Sequence, residues 1–160
     1  MSSHSIQDTG ALFQIAEPGA PQAAPRAPGR GVGIDLGTTN SLVAIAPQGA
    51  APRVLRDEHG WALVPSVVSY VGDRVVVGQV ALAQQLAHPE RVVSSVKRFM
   101  GRSVGDVDFT HPYRLLGESG ALRLDVGAEG RPRPVSAVEV SAEVLRVLKQ
   151  RENWSDRSNL

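Results

Sequence analysis

Two apolar runs separated by a short polar turn constrain the fold of this chain more than any other feature. Residues 32–36 form the first run, which is interrupted by a single carboxylate, Asp35, and residues 42–46 form the second. The turn between them, residues 37–40, has the sequence Gly-Thr-Thr-Asn. An apolar run, a tight polar turn and a second apolar run together predict a β-hairpin.

The carboxylate within the first strand predicts chemistry at this turn. Burying a carboxylate is costly unless it is paired or serves a metal, so a buried Asp35 indicates a phosphate and metal site. Gly37 lacks a Cβ, which would let the backbone adopt positive φ and approach a phosphate closely. Successive N–H groups would form an anion-binding concavity, and the hydroxyls of Thr38 and Thr39 would add donors. Asp35 is predicted to hold Mg²⁺ through its water shell, because Mg²⁺ sheds water reluctantly. The alternative is a hairpin whose polar side chains only satisfy the turn backbone.

Three segments carry a resemblance to a known family. Residues 35–41, Asp-Leu-Gly-Thr-Thr-Asn-Ser, resemble the first phosphate-binding hairpin of the sugar-kinase, actin and heat-shock-chaperone ATPase superfamily, in its DnaK-type form. Residues 63–68, Leu-Val-Pro-Ser-Val-Val, are similar to that family's strand with an internal proline. Residues 95–102, Ser-Val-Lys-Arg-Phe-Met-Gly-Arg, are similar to the segment that brings a catalytic lysine to the nucleotide. Sugar kinases share the turn but not the lysine segment, so a sugar-kinase-type phosphotransferase is the alternative.

Two details resemble one branch of the chaperone family, the HscA branch dedicated to iron–sulfur cluster assembly. Residues 11–19 are similar to its N-terminal lead-in, and residues 94–103 are closer to its form of the lysine segment. The resemblance implies ATP/ADP and Mg²⁺ as cofactors and a cytoplasmic location. It also implies an iron–sulfur scaffold protein as client and a J-domain cochaperone as partner.

The same resemblance implies the fold and the roles of the site residues. The fold would be α/β, the first lobe of an actin-like (ribonuclease H-like) ATPase domain, incomplete because the family's domain has two lobes. Asp35 would serve Mg²⁺, and Lys97 would act at the γ-phosphate, where one well-aimed cation stabilises the transferred charge. The phosphates would be bound by Gly37, Thr38, Thr39 and Asn40.

Lys97 has a second interpretation from its local pattern. Apolar residues at 92, 93, 96, 99 and 100 have helical spacing. On such a helix Lys97 would be a solvated lysine near the C-terminus, where the helix dipole favours a cation. The resemblance to the chaperone family favours the catalytic interpretation instead.

The chain is predicted to divide into three parts. Residues 1–30 contain several prolines and many alanines, and this composition predicts a disordered arm. Residues 31–150 would be the partial nucleotide-binding domain. Residues 151–160 form a polar run where the family continues into a buried strand, and we interpret them as an aberrant or truncated tail. The alternative function is therefore a non-catalytic fragment that binds little or no nucleotide.

Elsewhere the pattern predicts further elements. Strands are expected at residues 53–56, 75–77, 113–116 and 122–126, and a helix at residues 79–88. Ser136 and Glu139 form a capping-box pattern that begins a helix extending to residue 150. The lobe's parallel strands would leave an unpaired edge, which is an aggregation hazard.

Composition excludes several other classes of function. The chain has 17 basic and 16 acidic residues and only 4% aromatics, so it lacks the basic patch and stacking platform of a nucleic-acid-binding protein. The absence of cysteine excludes disulfides and a cysteine-held iron–sulfur cluster. We expect no membrane-spanning segment and no secretory signal. The four histidines are isolated in the sequence and lack metal-ligand spacing.

Overall fold

The computed structural model describes residues 31–117 and 121–157, with side chains described as far as Arg151. The predicted arm, residues 1–30, lies outside the described residues. Neither of the α-helices in the described ranges is long and apolar enough to cross a membrane.

The predicted hairpin forms the first sheet. Strand β1 (Gly31–Leu36) pairs antiparallel with β2 (Asn40–Ala46), and β2 pairs on its other side with β3 (Arg53–Val54) and β4 (Val64–Pro65). Alternate residues of β2 are buried, because successive side chains of a strand point to opposite faces of the sheet. Its buried residues are Ser41, Val43 and Ile45.

Two further sheets follow. Strand β5 (Val67–Ser69) lies between β6 (Val76–Val77) and β7 (Val92–Ser94), and β9 (Arg123–Asp125) lies between β8 (Arg114–Leu116) and β10 (Pro134–Ser136). Every pairing among these described strands is antiparallel. The expectation of parallel strands is therefore wrong for this part of the chain, where short turns and loops connect neighbouring strands.

Helix α1 (Gln79–Gln84) packs on β5, and helix α2 (Ala137–Arg157) packs on β2 and spans the core. The predicted capping box begins α2: the Ser136 N–H donates to Glu139 Oε2 at 2.7 Å, and the Glu139 N–H donates to Ser136 Oγ at 3.1 Å. The apolar stripe of α2 faces the sheets. The main core contains Val43, Ile45, Leu55, Val64, Val68, Tyr70, Val93, Val96, Phe99, Tyr113, Leu122, Leu124, Val126, Val135, Ala137, Val140, Val144 and Leu148.

Three predicted helices differ from the structure. The helix expected from residue 79 to 88 ends at Gln84, and the helix expected to end at residue 150 continues to Arg157. The helix expected over residues 92–100 begins instead as the strand β7, because Val92 and Val93 pair with the central strand β5 and are fully buried. Only Val96–Phe99 is helical there, as a short 3₁₀ turn.

Candidate functional site

The predicted phosphate-binding turn joins β1 to β2. Its outer residues, Thr38, Thr39 and Asn40, are exposed to solvent, and Gly37 is half-buried. A Cβ added at Gly37 would overlap the carbonyl oxygen of Asn40. Gly37 does not have positive φ, so the predicted reason for this glycine is wrong and close backbone approach is the actual one. The result is a tight turn with outward-facing hydroxyls.

Hydrogen bonds to the neighbouring strand hold this turn in place. The Ser66 N–H donates to the carbonyl oxygen of Thr39 at 2.8 Å. Two residues after Thr39, the hydroxyls of Ser41 and Ser66 are 2.8 Å apart, and both residues are buried. Pro65 lies opposite Asn40 in the β2–β4 pairing. These contacts fix the proline-containing segment beside the turn, and the sequence did not indicate the buried serine pair.

A cavity of about 330 Å³ opens beside the turn. It brings the turn together with the end of β7 and the residue that follows it. Within it the Gln85 side-chain amide donates to Ser94 Oγ at 3.0 Å. The lining residues are Thr38, Thr39, Asn40, Pro65, Val67, Gln79, Leu82, Gln85, Ser94 and Ser95. Of the predicted phosphate-binding residues, three therefore share one cavity.

Asp35 does not lie in a buried strand. It is exposed, as are the four residues before it on β1, of which Val32 and Ile34 are 44% and 48% exposed. The prediction of a buried carboxylate is wrong because β1 is the outer strand of its sheet and α2 packs mainly on β2. Asp35 also belongs to no protein-made metal cluster, because the described residues contain no group of three or more His, Cys, Asp or Glu able to hold a metal ion. Any Mg²⁺ here would depend on water and phosphate oxygens for its remaining ligands.

Lys97 lies on the 3₁₀ turn Val96–Phe99 and is exposed. Val96 and Phe99 on either side of it are buried, so the segment is anchored by its apolar residues. Ser95, just before the turn, has φ 53° and redirects the chain as it leaves β7. Lys97 is not among the residues that line the cavity beside the hairpin turn. The structure thus brings Ser94 and Ser95 to the turn but leaves Lys97 in solvent.

A larger cavity of about 630 Å³ lies elsewhere, between the loop before β4 and the end of α2. Trp61, Leu63 and Val80 in its wall are at least 49% exposed. The Arg151 guanidinium closes one end by binding the Asp57 carboxylate, with Nη2 and Oδ2 2.9 Å apart. No sequence pattern indicated this groove, because it joins residues about 90 positions apart in the chain.

Comparison with known proteins identifies the family of this chain. The family model described as "Hsp70 protein" matches residues 31–156. Proteins named "Chaperone protein HscA homolog" are similar over most of the chain. The one from Bordetella petrii is 52% identical over 143 residues, covering 88% of this chain and 22% of that protein. The one from Laribacter hongkongensis is 52% identical over 148 residues, covering 91% of this chain and 23% of that protein.

A third relative of the same name, from a Shewanella species, is 46% identical over 144 residues, covering 88% of this chain and 22% of that protein. The chain spans about a fifth of the length of these relatives. The resemblance in the hairpin, the proline strand and the lysine segment is therefore confirmed over most of the chain. This chain belongs to the Hsp70 family of DnaK-type chaperones, and it corresponds to the N-terminal portion of HscA-type members.

Proposed function

We propose that this chain is the phosphate-binding part of an ATP-dependent chaperone's nucleotide-binding domain. The proposal rests on the tight turn after β1. Glycine is required at position 37 because the Asn40 carbonyl oxygen lies too close for a Cβ, and three exposed polar residues follow Gly37 beside a cavity. Exposed N–H and hydroxyl donors around such a turn suit the oxygens of a nucleotide phosphate chain. ATP or ADP with Mg²⁺ is the cofactor proposed.

Each predicted site residue has a role in this proposal. Gly37, Thr38, Thr39 and Asn40 bind phosphate oxygens through backbone and side-chain donors. Asp35, two residues before the turn, orients water molecules of the Mg²⁺ shell. When bound, Mg²⁺ would neutralise phosphate charge. A single exposed carboxylate fits this outer-shell role, because Mg²⁺ commonly keeps several of its waters.

Lys97 is proposed to act at the γ-phosphate. Its exposed position on the short turn after β7 puts the ammonium in solvent, while Ser95, two residues earlier, lines the cavity beside the hairpin. A cation on this side of the cavity would stabilise charge on the transferred phosphoryl group. Replacing Lys97 with methionine should therefore reduce hydrolysis without removing nucleotide binding, whereas Lys149→Met, an exposed change on α2, should alter neither.

The larger process is proposed from the relatives. Their printed name, "Chaperone protein HscA homolog", supports a chaperone role for a protein that contains this sequence. We propose maturation of iron–sulfur proteins in the cytoplasm, with an iron–sulfur scaffold protein as client and a J-domain cochaperone that stimulates hydrolysis. Because the chain contains no cysteine, it would assist cluster transfer without itself carrying the cluster through thiolates.

A second candidate is a fragment with little nucleotide affinity. The observation that favours it is the openness of the site: Thr38, Thr39 and Asn40 are exposed, and the adjoining cavity of about 330 Å³ is at the small end of ligand sites. Such a chain would contact phosphates on one side only. A sugar-kinase-type phosphotransferase is a third possibility, and the match to the Hsp70 family disfavours it.

Calorimetric titration of Mg-ATP into the purified chain distinguishes these candidates. Micromolar binding that Asp35→Asn weakens would support the proposed phosphate site. Asp73→Asn is the matched control, because Asp73 is an exposed carboxylate outside the cavity and should leave binding unchanged. Absence of heat from a chain that circular dichroism shows to be folded would favour the non-binding fragment. The phosphotransferase needs a separate assay: transfer of phosphate from ATP to a hexose would favour it.

A further inference from the structure

Ser95 is the one residue other than glycine that has positive φ in the ranges that the structure describes. Its backbone, at φ 53° and ψ 32°, is left-handed, a conformation that residues with a Cβ rarely adopt. Residues in such a conformation persist only where the surrounding structure fixes them, and they concentrate at functional sites. Ser95 lines the cavity beside the hairpin turn, so the contacts that fix it bear on the proposed nucleotide site.

The hydroxyl of Tyr113 holds the residue immediately before Ser95. The Ser94 N–H donates to Tyr113 Oη at 2.9 Å, and this hydroxyl donates in turn to the carbonyl oxygen of Val92 at 3.3 Å. Backbone groups two residues apart point to the same side of a strand, and this side of β7 faces away from its partner β5. The Tyr113 hydroxyl therefore makes the two hydrogen bonds that a neighbouring strand would otherwise make at the end of β7.

Gln85 holds the same residue through its side chain. The Gln85 amide donates to Ser94 Oγ at 3.0 Å, so Ser94 is bound both at its backbone N–H and at its hydroxyl. On the other side of Ser95, the Arg98 N–H donates to the Ser95 carbonyl oxygen at 3.0 Å, within the 3₁₀ turn. The left-handed residue is thus fixed from both directions along the chain.

The ring of Tyr113 is itself fixed by packing. Tyr113 is only 7% exposed, and its ring stacks on His111 with the centroids 5.9 Å apart. It also meets the Phe99 ring edge to face, with the centroids 5.7 Å apart. Phe99 is the last residue of the 3₁₀ turn, so Tyr113 contacts the chain both before and after Lys97.

We propose that Tyr113 is a positioning residue for the nucleotide site: its hydroxyl fixes the Ser94–Ser95 wall of the cavity and, through it, the turn that presents Lys97. The functional consequence rests on the proposed function, in which Lys97 acts at the γ-phosphate. Tyr113 is not among the residues that line the cavity, so it acts through Ser94 without touching the nucleotide.

Amide hydrogen exchange of the 160-residue chain tests the positioning without nucleotide. Tyr113→Phe keeps the ring but leaves the Ser94 N–H without its acceptor, so exchange of that N–H should accelerate by about tenfold or more. The amide of Val68 in the central strand β5 is the internal reference, because it reports opening of the core. Tyr70→Phe is the matched control: Tyr70 is the only other tyrosine, is 3% exposed and lies outside the cavity lining. It should leave exchange at Ser94 unchanged.

Calorimetric titration with Mg-ATP and with Mg-ADP tests the consequence. Lys97→Met should lower the ratio of the ATP affinity to the ADP affinity, and Tyr113→Phe should lower the same ratio by about threefold or more. In the Lys97→Met chain, Tyr113→Phe should cause no further fall, because both changes remove the same contact. A general loss of stability would instead weaken the binding of both nucleotides alike.

Unchanged exchange of the Ser94 N–H in Tyr113→Phe would overturn the proposal, as would an acceleration that Val68 or the Tyr70→Phe chain shares. So would an affinity ratio that Lys97→Met lowers and Tyr113→Phe does not. A wild-type chain that binds neither nucleotide would overturn the proposed function, and a ratio that Lys97→Met leaves unchanged would overturn the role of Lys97. In either case the exchange rates alone decide whether Tyr113 positions the wall.

Discussion

The guanidinium of Arg151 and the carboxylate of Asp57 form an ion pair, with Nη2 and Oδ2 2.9 Å apart. The same guanidinium donates through Nη1 to the carbonyl oxygens of Trp61, at 2.9 Å, and Ala62, at 2.8 Å. Burial would raise the pKa of Asp57, but N–H donors from Trp61 and His59, with the Arg151 charge, hold it below its ordinary value. One side chain near the end of α2 therefore organises the loop before β4.

Replacing Arg151 with methionine should destabilise the chain by about 2 kcal/mol, because two carbonyl oxygens and a carboxylate lose a charged donor. The Arg151 side chain is only 10% exposed, so water replaces these bonds poorly. Urea denaturation measures the effect. Lys149→Met on the exposed face of α2 is the control and should change stability by less than about 0.5 kcal/mol. Equal stability of the two variants would show that the Arg151 contacts contribute nothing.

Replacing Gly37 with alanine should destabilise the hairpin by about 1–3 kcal/mol, because the new Cβ overlaps the Asn40 carbonyl oxygen. Gly33→Ala, on the preceding strand β1, is the matched control, since a Cβ there meets nothing within 4 Å. Thermal unfolding compares the two variants. If both glycines tolerate alanine equally well, the turn does not depend on close backbone approach.

Protonation of the capping box of α2 should make the folded chain less stable in acid. The N–H of Ser136, then its hydroxyl and the Arg123 guanidinium, hold the pKa of Glu139 below its ordinary value of 4.5. The contribution of a carboxylate with a lowered pKa is complete above about pH 4.5 and is lost as pH falls through the folded-state pKa. Glu139→Gln should therefore be less stable than wild type at neutral pH and should lose less stability on acidification.

Urea midpoints measured at several pH values check this expectation. Ser136→Ala should cost about 1 kcal/mol at neutral pH, because it removes the N-cap oxygen. Glu129→Gln is a control: Glu129 is an exposed carboxylate outside the capping box, and its variant should follow the wild-type pH profile. Parallel profiles for Glu139→Gln and wild type would contradict the prediction.

The buried phenol of Tyr70 should make the chain less stable in alkali. Burial, and then the negative charge of Glu143, raises the pKa of this phenol from 10.0 to about 12. Above pH 10.0 the unfolded chain releases the proton more readily than the folded chain, so stability should fall as pH rises from about 10 to about 12. Tyr70→Phe should flatten this alkaline decline, as measured by urea denaturation. A decline of the same slope in both proteins would show that Tyr70 does not cause it.

The features that the sequence predicted correctly are local. The hairpin at residues 31–46 follows from two apolar runs around a polar turn, and the capping box follows from two residues three positions apart. The burial of Asp35 was mispredicted because exposure depends on which strand lies at the sheet edge, and adjacent residues do not determine that. Val92 and Val93 have helical spacing with Val96, yet they form a strand because β5 pairs with them. Tertiary pairing overrode the local pattern there.

The contacts of Arg151 were equally inaccessible to sequence reasoning, since its partners lie about 90 positions earlier and no periodic pattern connects them. The position of Lys97 illustrates the same limit. The resemblance identified the segment, and in the structure Ser95, two residues before Lys97, lines the cavity beside the turn. The orientation of Lys97 itself depends on the burial of Val96 and Phe99, which only the packed structure determines.

The packing of α2 on β2 has a consequence for synthesis on the ribosome. Val43 and Ile45 leave the exit tunnel early, but the helix residues that cover them, such as Val144 and Leu148, are translated roughly 100 codons later. At typical elongation rates the hairpin waits for roughly 5–20 s with its apolar face in water. The first sheet can therefore complete its core only after translation has reached the second half of α2.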